Sequence, residues 1–404
     1  MKKPELLAPA GNMEKLRIAI HYGADAVYLG GKKYGLRNLA DNFTPAEMAE
    51  GVTYAHERGV KVYLTANIYP DNQDIEPLYG YFEDVAHIPF DAYIAADPGV
   101  IGIISEVSPG RPVHLSTQAN TTNWKSALFW RRQGVGRINL AREMSLDGIR
   151  EVKERVDVEV EAFVHGAMCI SYSGRCLLSS AMAGRQANRG ECAHPCRWSY
   201  SLVEETRPGE YFPVTENEHG TFIFNSKDLC LLPYIPELVE SGIDSLKIEG
   251  RMKGVNYVAS VVRVYREALD RYCEAPPSYR YREEWLEELR KISHRGYTTG
   301  FLMGSPKDLD HEYHSRYTRT HDFIAIVEEA LTDGSLLVGV RNRLEVGESL
   351  EFIGRGMASY TIILEEMTDA AGEPVSVAHP NSRVRIRVPF PAEQYDLIRR
   401  EKCA

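Results

Sequence analysis

The sequence predicts an α/β fold: a (β/α)8, TIM-like barrel with a cysteine-bearing insertion, followed by a small C-terminal antiparallel β-barrel domain. Three observations predict it. Short, continuous apolar runs recur from Glu5 to Arg251, most of them separated by the length of one strand–helix unit. One long gap, between Gly166 and Ile243, breaks that rhythm and opens on four of the chain's seven cysteines. From about His321 the pattern changes to short alternating segments with turn residues between them.

The 404 residues exceed one ordinary domain, and the 44% apolar and 26% charged content is that of a globular chain. In order, the expected barrel strands are ELLAPAG, ADAVYLGG, KVYLTANI, DAYIAADPG, VHLSTQAN, GRINLARE, VEVEAFVHG and IDSLKIEGR. Continuous apolar runs suit parallel strands covered on both faces. Between the second and third runs, Thr44-Pro45-Ala46-Glu47 is a capping box with proline in the first turn, so a helix starts there. The expected units are a barrel over 1–270 with the insertion at about 166–240, a helical connector over 271–320, and a β-barrel domain over 321–404. In that last unit DFIAIVEEA, SLLVGVRN, ESLEFIG, ASYTIILEE and RVRIRVPF read as strands.

The strand ends are polar and varied: Asn12, Gly30-Gly31, Asn67, Asp97, Gln118, Asn120, Arg142-Glu143, His165, Glu249 and Arg251. In a barrel these positions meet at one mouth, where active sites sit. An insertion that leaves a barrel strand at its C-terminal end lies over that mouth, so the cysteines are expected beside it. No apolar run approaches the roughly 18 residues of a membrane span. The start, MKKPELLAPAG, is broken too early by Pro4 for a signal peptide. A cytoplasmic location is therefore expected, where clustered thiols are more often metal ligands than disulfides.

The spacing is Cys169-x6-Cys176-x15-Cys192-x3-Cys196, with Cys230 following in NSKDLC; Cys273 and Cys403 stand apart. Structural zinc prefers paired C-x2-C knuckles, which this chain lacks. An irregular series of thiolates fits an iron–sulfur cluster better. Zinc, or four buried inert cysteines, are the alternatives. Arg175, Arg185, Arg189 and Arg197 interleave with the cysteines against a single carboxylate, Glu191. They would stabilise thiolates, bind phosphates or hold a carboxylate substrate. The net charge of −10 argues weakly against nucleic-acid binding, but a mean charge is silent on local patches. There is no H-E-x-x-H helix and no G-x-S-x-G elbow.

EAFVHGAMCISYSGRCLLS, NRGECAHPCRW, NSKDLC and KIEGRMK together resemble the collagenase-like peptidase family, U-type. The similarity runs from LLAPAG to the C-terminal β-domain. The better-understood members of that family are RNA hydroxylation proteins and relatives that serve ubiquinone hydroxylation, and YTTGFLMG before a β-domain looks most like the tRNA uridine 5-hydroxylation branch. The resemblance implies a [4Fe-4S] protein that helps form 5-hydroxyuridine at the wobble position of tRNA, with prephenate as a required metabolite. It implies Cys169, Cys176 and Cys192 as cluster ligands, with Cys230 or Cys196 as the fourth. A collagenase-like peptidase or peptide-binding protein with a structural metal is the alternative. Prephenate is a dicarboxylate, for which Arg37, Arg142 and Arg251 are the arginines at the mouth. Gln118, Asn120 and Asn67 offer amides for the edge of a flipped uridine, and His165 and Glu249 complete the catalytic candidates. For tRNA itself, a basic surface is expected from the insertion's arginines with Arg316, Arg319, Arg383, Arg385 and Arg387, the last three on one face of a strand.

Overall fold

The structure, a computed structural model, describes residues 2–35, 41–168, 174, 176, 178–195, 227–303 and 318–402. All eight expected runs are strands: β1 (Glu5–Pro9), β2 (Ala26–Gly30), β3 (Lys61–Ala66), β4 (Ala92–Ala95), β5 (Val113–Leu115), β6 (Arg137–Asn139), β7 (Glu159–Ala167) and, after the short β8 (Asp228–Cys230), β9 (Ser245–Ile248). They pair in parallel in sequence order, and β9 closes the ring by pairing with both β7 and β1. Helices α1 (Met13–His21), α2 (Pro45–His56), α3 (Ile75–Val85), α4 (Pro98–Val107), α5 (Trp124–Arg132), α6 (Leu146–Arg155), α8 (Ile235–Glu240) and α9 (Val255–Glu274) form the outer layer; α7 (Leu178–Ala183) lies in the insertion. The start of α2 is the expected capping box: Thr44 accepts from the Glu47 N–H, and Glu47 accepts from the Thr44 N–H at 2.8 Å. No helix among the described residues is long and apolar enough to cross a membrane.

Each strand divides its side chains by the period of two. Outward, Leu6, Leu29, Leu64, Leu115, Ile138, Val160 and Leu246 are wholly buried against the helices. Inward, Leu7, Ala26, Tyr28, Tyr63, Ala92 and Ile94 form an inner cluster that shares the barrel with charge. Arg137 lies 2.6 Å from Glu5 and 3.6 Å from Glu161, and Lys247 lies 2.6 Å from Glu161. The alternation in Val158-Glu-Val-Glu-Ala162 puts two glutamates on the interior face, where they persist because basic partners on β6 and β9 meet them.

The C-terminal unit is a seven-stranded antiparallel sheet. Its strands are β11 (His321–Ala330), β12 (Ser335–Val340), β14 (Ser349–Ile353), β15 (Ser359–Ile363), β16 (Thr368–Asp369), β18 (Arg383–Arg387) and β19 (Leu397–Glu401). The order β15-β14-β19-β11-β12-β18-β16 leaves β15 and β16 as edges, so the sheet is a half-barrel. The short pair β13 (Leu344–Glu345) and β17 (Val377–Ala378) completes it. Between barrel and sheet, the connector helix α10 (Glu283–Lys291) leads to the two-residue strand β10 (Tyr297–Thr298), which pairs in parallel with β8, and the C-terminal unit seats on the barrel through α1, α9 and α10. Tyr22 donates to the Ile353 carbonyl at 2.8 Å, and His21 lies 3.1 Å from Asp396. Arg399 of β19, with a fully buried side chain, takes Glu288 of α10 at 2.7 and 2.5 Å and Glu351 of β14 at 2.6 and 3.0 Å.

Candidate functional site

The mouth of the barrel is built from the C-terminal ends of the strands, and two arginines define its floor. Arg251, just beyond β9, is 2% exposed and donates to the Thr65 hydroxyl of β3 at 2.5 Å. Gly30 makes that reach possible, because a Cβ there would stand 2.5 Å from the Arg251 guanidinium. Arg142, beyond β6, donates to the Ala167 carbonyl at 2.9 Å and lies 3.5 Å from Glu249. Its guanidinium sits 4.0 Å over the Phe163 ring. Stacking on one face while carboxylate and carbonyl fix the edge holds the fork in a single orientation. Below it, the Lys247 ammonium lies over the rings of Tyr28 and Phe163, so charge continues into the barrel. Thr65, Phe163 and Lys247 are site neighbours that the strand-end reading missed; their inward alternation within the runs was the available signal.

The remaining strand-end residues take different parts. Asn67 donates to the Ser116 hydroxyl at 3.3 Å. Gln118 lies in a short turn of 3-10 helix, Thr117–Ala119, and its carbonyl accepts from the Tyr69 hydroxyl. Asn120 ends that turn in the left-handed region at φ 55°, a conformation asparagine tolerates. Asn12 and Asp97 are spent on structure: they cap α1 and α4, accepting from Lys15 N–H and from the Gly99 and Val100 N–H groups. Arg37 lies outside the described residues.

His165 is not presented to the mouth. The β7–β9 register shifts between Phe163 and His165, and the ring lies among Tyr257, Tyr265 and Tyr297, with its side chain sealed from solvent. Burial, aided by Lys253 and His294, lowers its pKa to about 3, so the imidazole is neutral. The next residue, Gly166, has φ 106°, and a Cβ there would stand 2.6 Å from the Glu249 carbonyl.

β7 runs past the barrel rim, and this extension pairs antiparallel with β8: His165 faces Cys230 and Ala167 faces Asp228. The insertion therefore leaves and returns at the same place. Its described part folds back over the mouth. Gly174 packs against the Gln118 backbone, where a Cβ would have no room, and Arg189 grips Asp74 at 2.8 and 3.1 Å and Asp71 at 3.0 Å beyond β3. Cys176 and Cys192 are half-buried on this lid, and the Cys192 sulfur accepts from the His194 N–H at 3.4 Å. Cys230 is buried at the end of β8, 3.9 Å from the Tyr265 hydroxyl, and burial pushes its thiol up to about 11. Cys169, Cys196, Arg175, Arg197 and Arg316 lie outside the described residues. Among the described residues, no three His, Cys, Asp or Glu side chains gather around one metal position. Tyr265 bridges Cys230 to His165 Nδ1 at 3.5 Å, but this Cys/His pair is enclosed and cannot meet a peptide.

On β18 the expected alternation holds: Arg383, Arg385 and Arg387 are exposed while Val384 and Ile386 are buried. Arg383 pairs with Glu328 at 2.7 Å and Arg387 approaches Asp333 at 3.8 Å. The carboxylates on this face are thus neighbours on β11 and in the β11–β12 turn.

The profile of peptidase family U32 matches residues 11–312, and that of the peptidase family U32 C-terminal domain matches 319–399. The tRNA hydroxylation protein P1 of Bacillus subtilis is 44% identical over 99% of this chain and 96% of its own. The tRNA hydroxylation protein P of Escherichia coli is 37% identical over 97% of this chain and 95% of its own. The 23S rRNA 5-hydroxycytidine C2501 synthase of E. coli is 35% identical over 76% of this chain, a match spanning 46% of that protein.

Proposed function

The chain belongs to peptidase family U32, and from that premise we propose that it is a tRNA-modifying enzyme that hydroxylates the wobble uridine at carbon 5. The observation that carries this reading is the similarity to the tRNA hydroxylation proteins through barrel, lid and half-barrel alike, at 99% coverage for one and 97% for another. The mouth supports it: two guanidinium groups with fixed orientation suit an anionic co-substrate, and the rim offers the amides of Asn67, Gln118 and Asn120 to a base. Prephenate, with two carboxylates, is the co-substrate we assign to Arg142 and Arg251, with Arg37 as a third candidate. We assign the action to the cytoplasm, where tRNA is matured.

We assign a [4Fe-4S] cluster to the lid. Cys176 and Cys192 are accessible on it, and an N–H already points at the Cys192 sulfur, a contact that stabilises thiolate over thiol. Cys169, Cys176 and Cys192 would hold the cluster, with Cys230 or Cys196 as the fourth ligand. When bound, it would supply electron-transfer or Lewis-acid chemistry at the mouth. The protein's own residues bind and orient: Glu249 and Phe163 hold Arg142, Thr65 holds Arg251, and Arg189 ties the lid to Asp71 and Asp74. Peptide hydrolysis finds no support, because the buried Cys230–His165 neighbourhood is closed to substrate.

Nucleoside analysis of tRNA from a deletion strain tests the activity. Loss of 5-hydroxyuridine and its derivatives is expected, and an unchanged profile overturns the proposal. Anaerobically purified protein should be brown, absorbing near roughly 400 nm. Colourless protein with stoichiometric zinc removes the cluster from the account. Serine in place of Cys230 or of Cys196, with iron counted in each variant, identifies the fourth ligand.

A further inference from the structure

We infer that the outer face of α5 is a docking surface for the RNA substrate, running from the rim of the mouth down the flank of the barrel. The inference rests on the reading of tRNA as substrate. It starts from charge. The chain carries 57 acidic against 47 basic residues, yet no acid occurs between Glu106 and Glu143, a stretch holding Arg111, Lys125, Arg131, Arg132, Arg137 and Arg142. Arg137 and Arg142 turn inward, and Arg111 donates to the Phe90 carbonyl. Lys125, Arg131 and Arg132 remain, all exposed and all on α5 or its last turn. None of them pairs with a carboxylate among the described residues; Arg131 donates only to the Asp157 carbonyl, at 2.8 Å. On α6 next to it, by contrast, Arg150 pairs with Asp147 and Arg155 with Glu151.

The second observation is aromatic. Of the nine residues of α5, only Ala127 is fully buried. Phe129 is 55% exposed, with Trp130 edge-on against it at 5.3 Å. Trp124 lies between Lys125 at 4.4 Å and Arg155 at 4.9 Å. Phe129 is the one ring of α5 left open, with Trp124 and Trp130 half-buried against the barrel, and cations around an open ring suit phosphates and an unstacked base together. A second copy of this chain fits poorly, because a two-fold contact through this face would set uncompensated cations against themselves.

Position gives the third. α5 follows β5, so it begins at the mouth beside Gln118, Asn120 and the lid, and it runs away from the rim for about 13 Å at 1.5 Å per residue. RNA with one nucleotide in the mouth would lay its flanking strand along this face. The β18 arginines serve less well. Two of the three are paired, and the half-barrel seats on α1 and α9, across the eight-stranded ring from α5.

The test measures binding of an unmodified tRNA transcript with uridine at the wobble position, by fluorescence anisotropy across a salt series. Lys125→Gln/Arg131→Gln/Arg132→Gln should weaken binding at least tenfold and flatten the log–log salt slope by about 2–3, one per phosphate contact removed. Phe129→Ala should weaken it at least fivefold with the slope unchanged. Arg282→Gln, at an exposed arginine paired with Glu284 beside α10, should bind as wild type, and unchanged melting temperatures establish folding. Wild-type affinity and slope in the triple variant overturn the inference while leaving the proposed function standing. A wild-type oligomer that Phe129→Ala dissolves overturns it in favour of a second copy. No measurable binding by the wild type removes the proposed function and this surface together.

Discussion

Replacing Arg399 by alanine should be among the most damaging single changes in the chain. Its guanidinium is fully buried and makes four hydrogen bonds to two carboxylates. Against the burial that would raise them, Arg399 holds Glu288 and Glu351 down at about 2, with help from Arg263 at Glu288 and Lys291 at both. A drop from 4.5 to about 2 corresponds to about 3 kcal/mol per carboxylate at about 1.4 kcal/mol for each tenfold. The two share one arginine, so their contributions do not add; the loss expected is about 3–5 kcal/mol, as for other broken buried pairs. The pH dependence follows from the sign. Lowered carboxyl pKa values contribute stability that is complete above the unfolded value near 4.5 and disappears as pH falls towards 2. The gap between wild type and Arg399→Ala should therefore be full at pH 7 and shrink steadily below about 4.5. Urea unfolding followed by circular dichroism at a series of pH values measures it. A gap below about 1 kcal/mol at pH 7, or one that stays constant down to pH 3, refutes the reasoning.

Three further outcomes are expected. Gly166→Ala should cost more than about 1 kcal/mol in urea unfolding, because alanine must adopt a positive φ and its methyl meets the Glu249 carbonyl. A neutral result would mean that the end of β7 is not fixed as described. Glu161→Gln should lose about 3–5 kcal/mol by stranding Lys247, while Glu161→Leu/Lys247→Met should recover most of it; equal losses in both would show that the pair itself is not the source. Arg142→Lys should weaken binding of prephenate, the co-substrate proposed for this mouth, about tenfold by calorimetry, since an ammonium cannot reproduce the fork stacked on Phe163, and unchanged affinity would move the co-substrate elsewhere.

The barrel was legible because parallel strands covered on both faces must read as short apolar runs, and every one of the eight did. The capping box at Thr44 was legible for a local reason: both of its hydrogen bonds lie within four residues. What escaped reading was non-local. The side chain of His165 belongs by simple alternation with Glu161 and Phe163, but a one-residue register shift against β9 turns it into a tyrosine cage. β19 was missed altogether. Leu-Ile-Arg-Arg-Glu looks like a charged tail, and only Glu288 and Glu351, from distant segments, make its buried Arg399 tolerable at the centre of a sheet. Asn12 and Asp97 read as site residues because capping and catalysis draw on the same side chains. The lid's docking over the mouth followed from topology, whereas its anchor, Arg189 on Asp71 and Asp74, required the folded chain.

The closure of the ring by β1 and β9 also bears on how the protein is made. Glu5 must wait for Ser245, 240 residues later, before the last seam of the barrel can form. At about 5–20 residues per second, translation leaves that seam open for roughly 10–50 s, with the edge of β1 and the carboxylate of Glu5 unpaired on one side. Arg137 and Tyr63 emerge earlier and can hold Glu5 from within while the chain lengthens. The interior charges would thus act as a temporary clasp on the nascent chain, and slowing elongation downstream of β7 should expose a partly built barrel to aggregation or to chaperones.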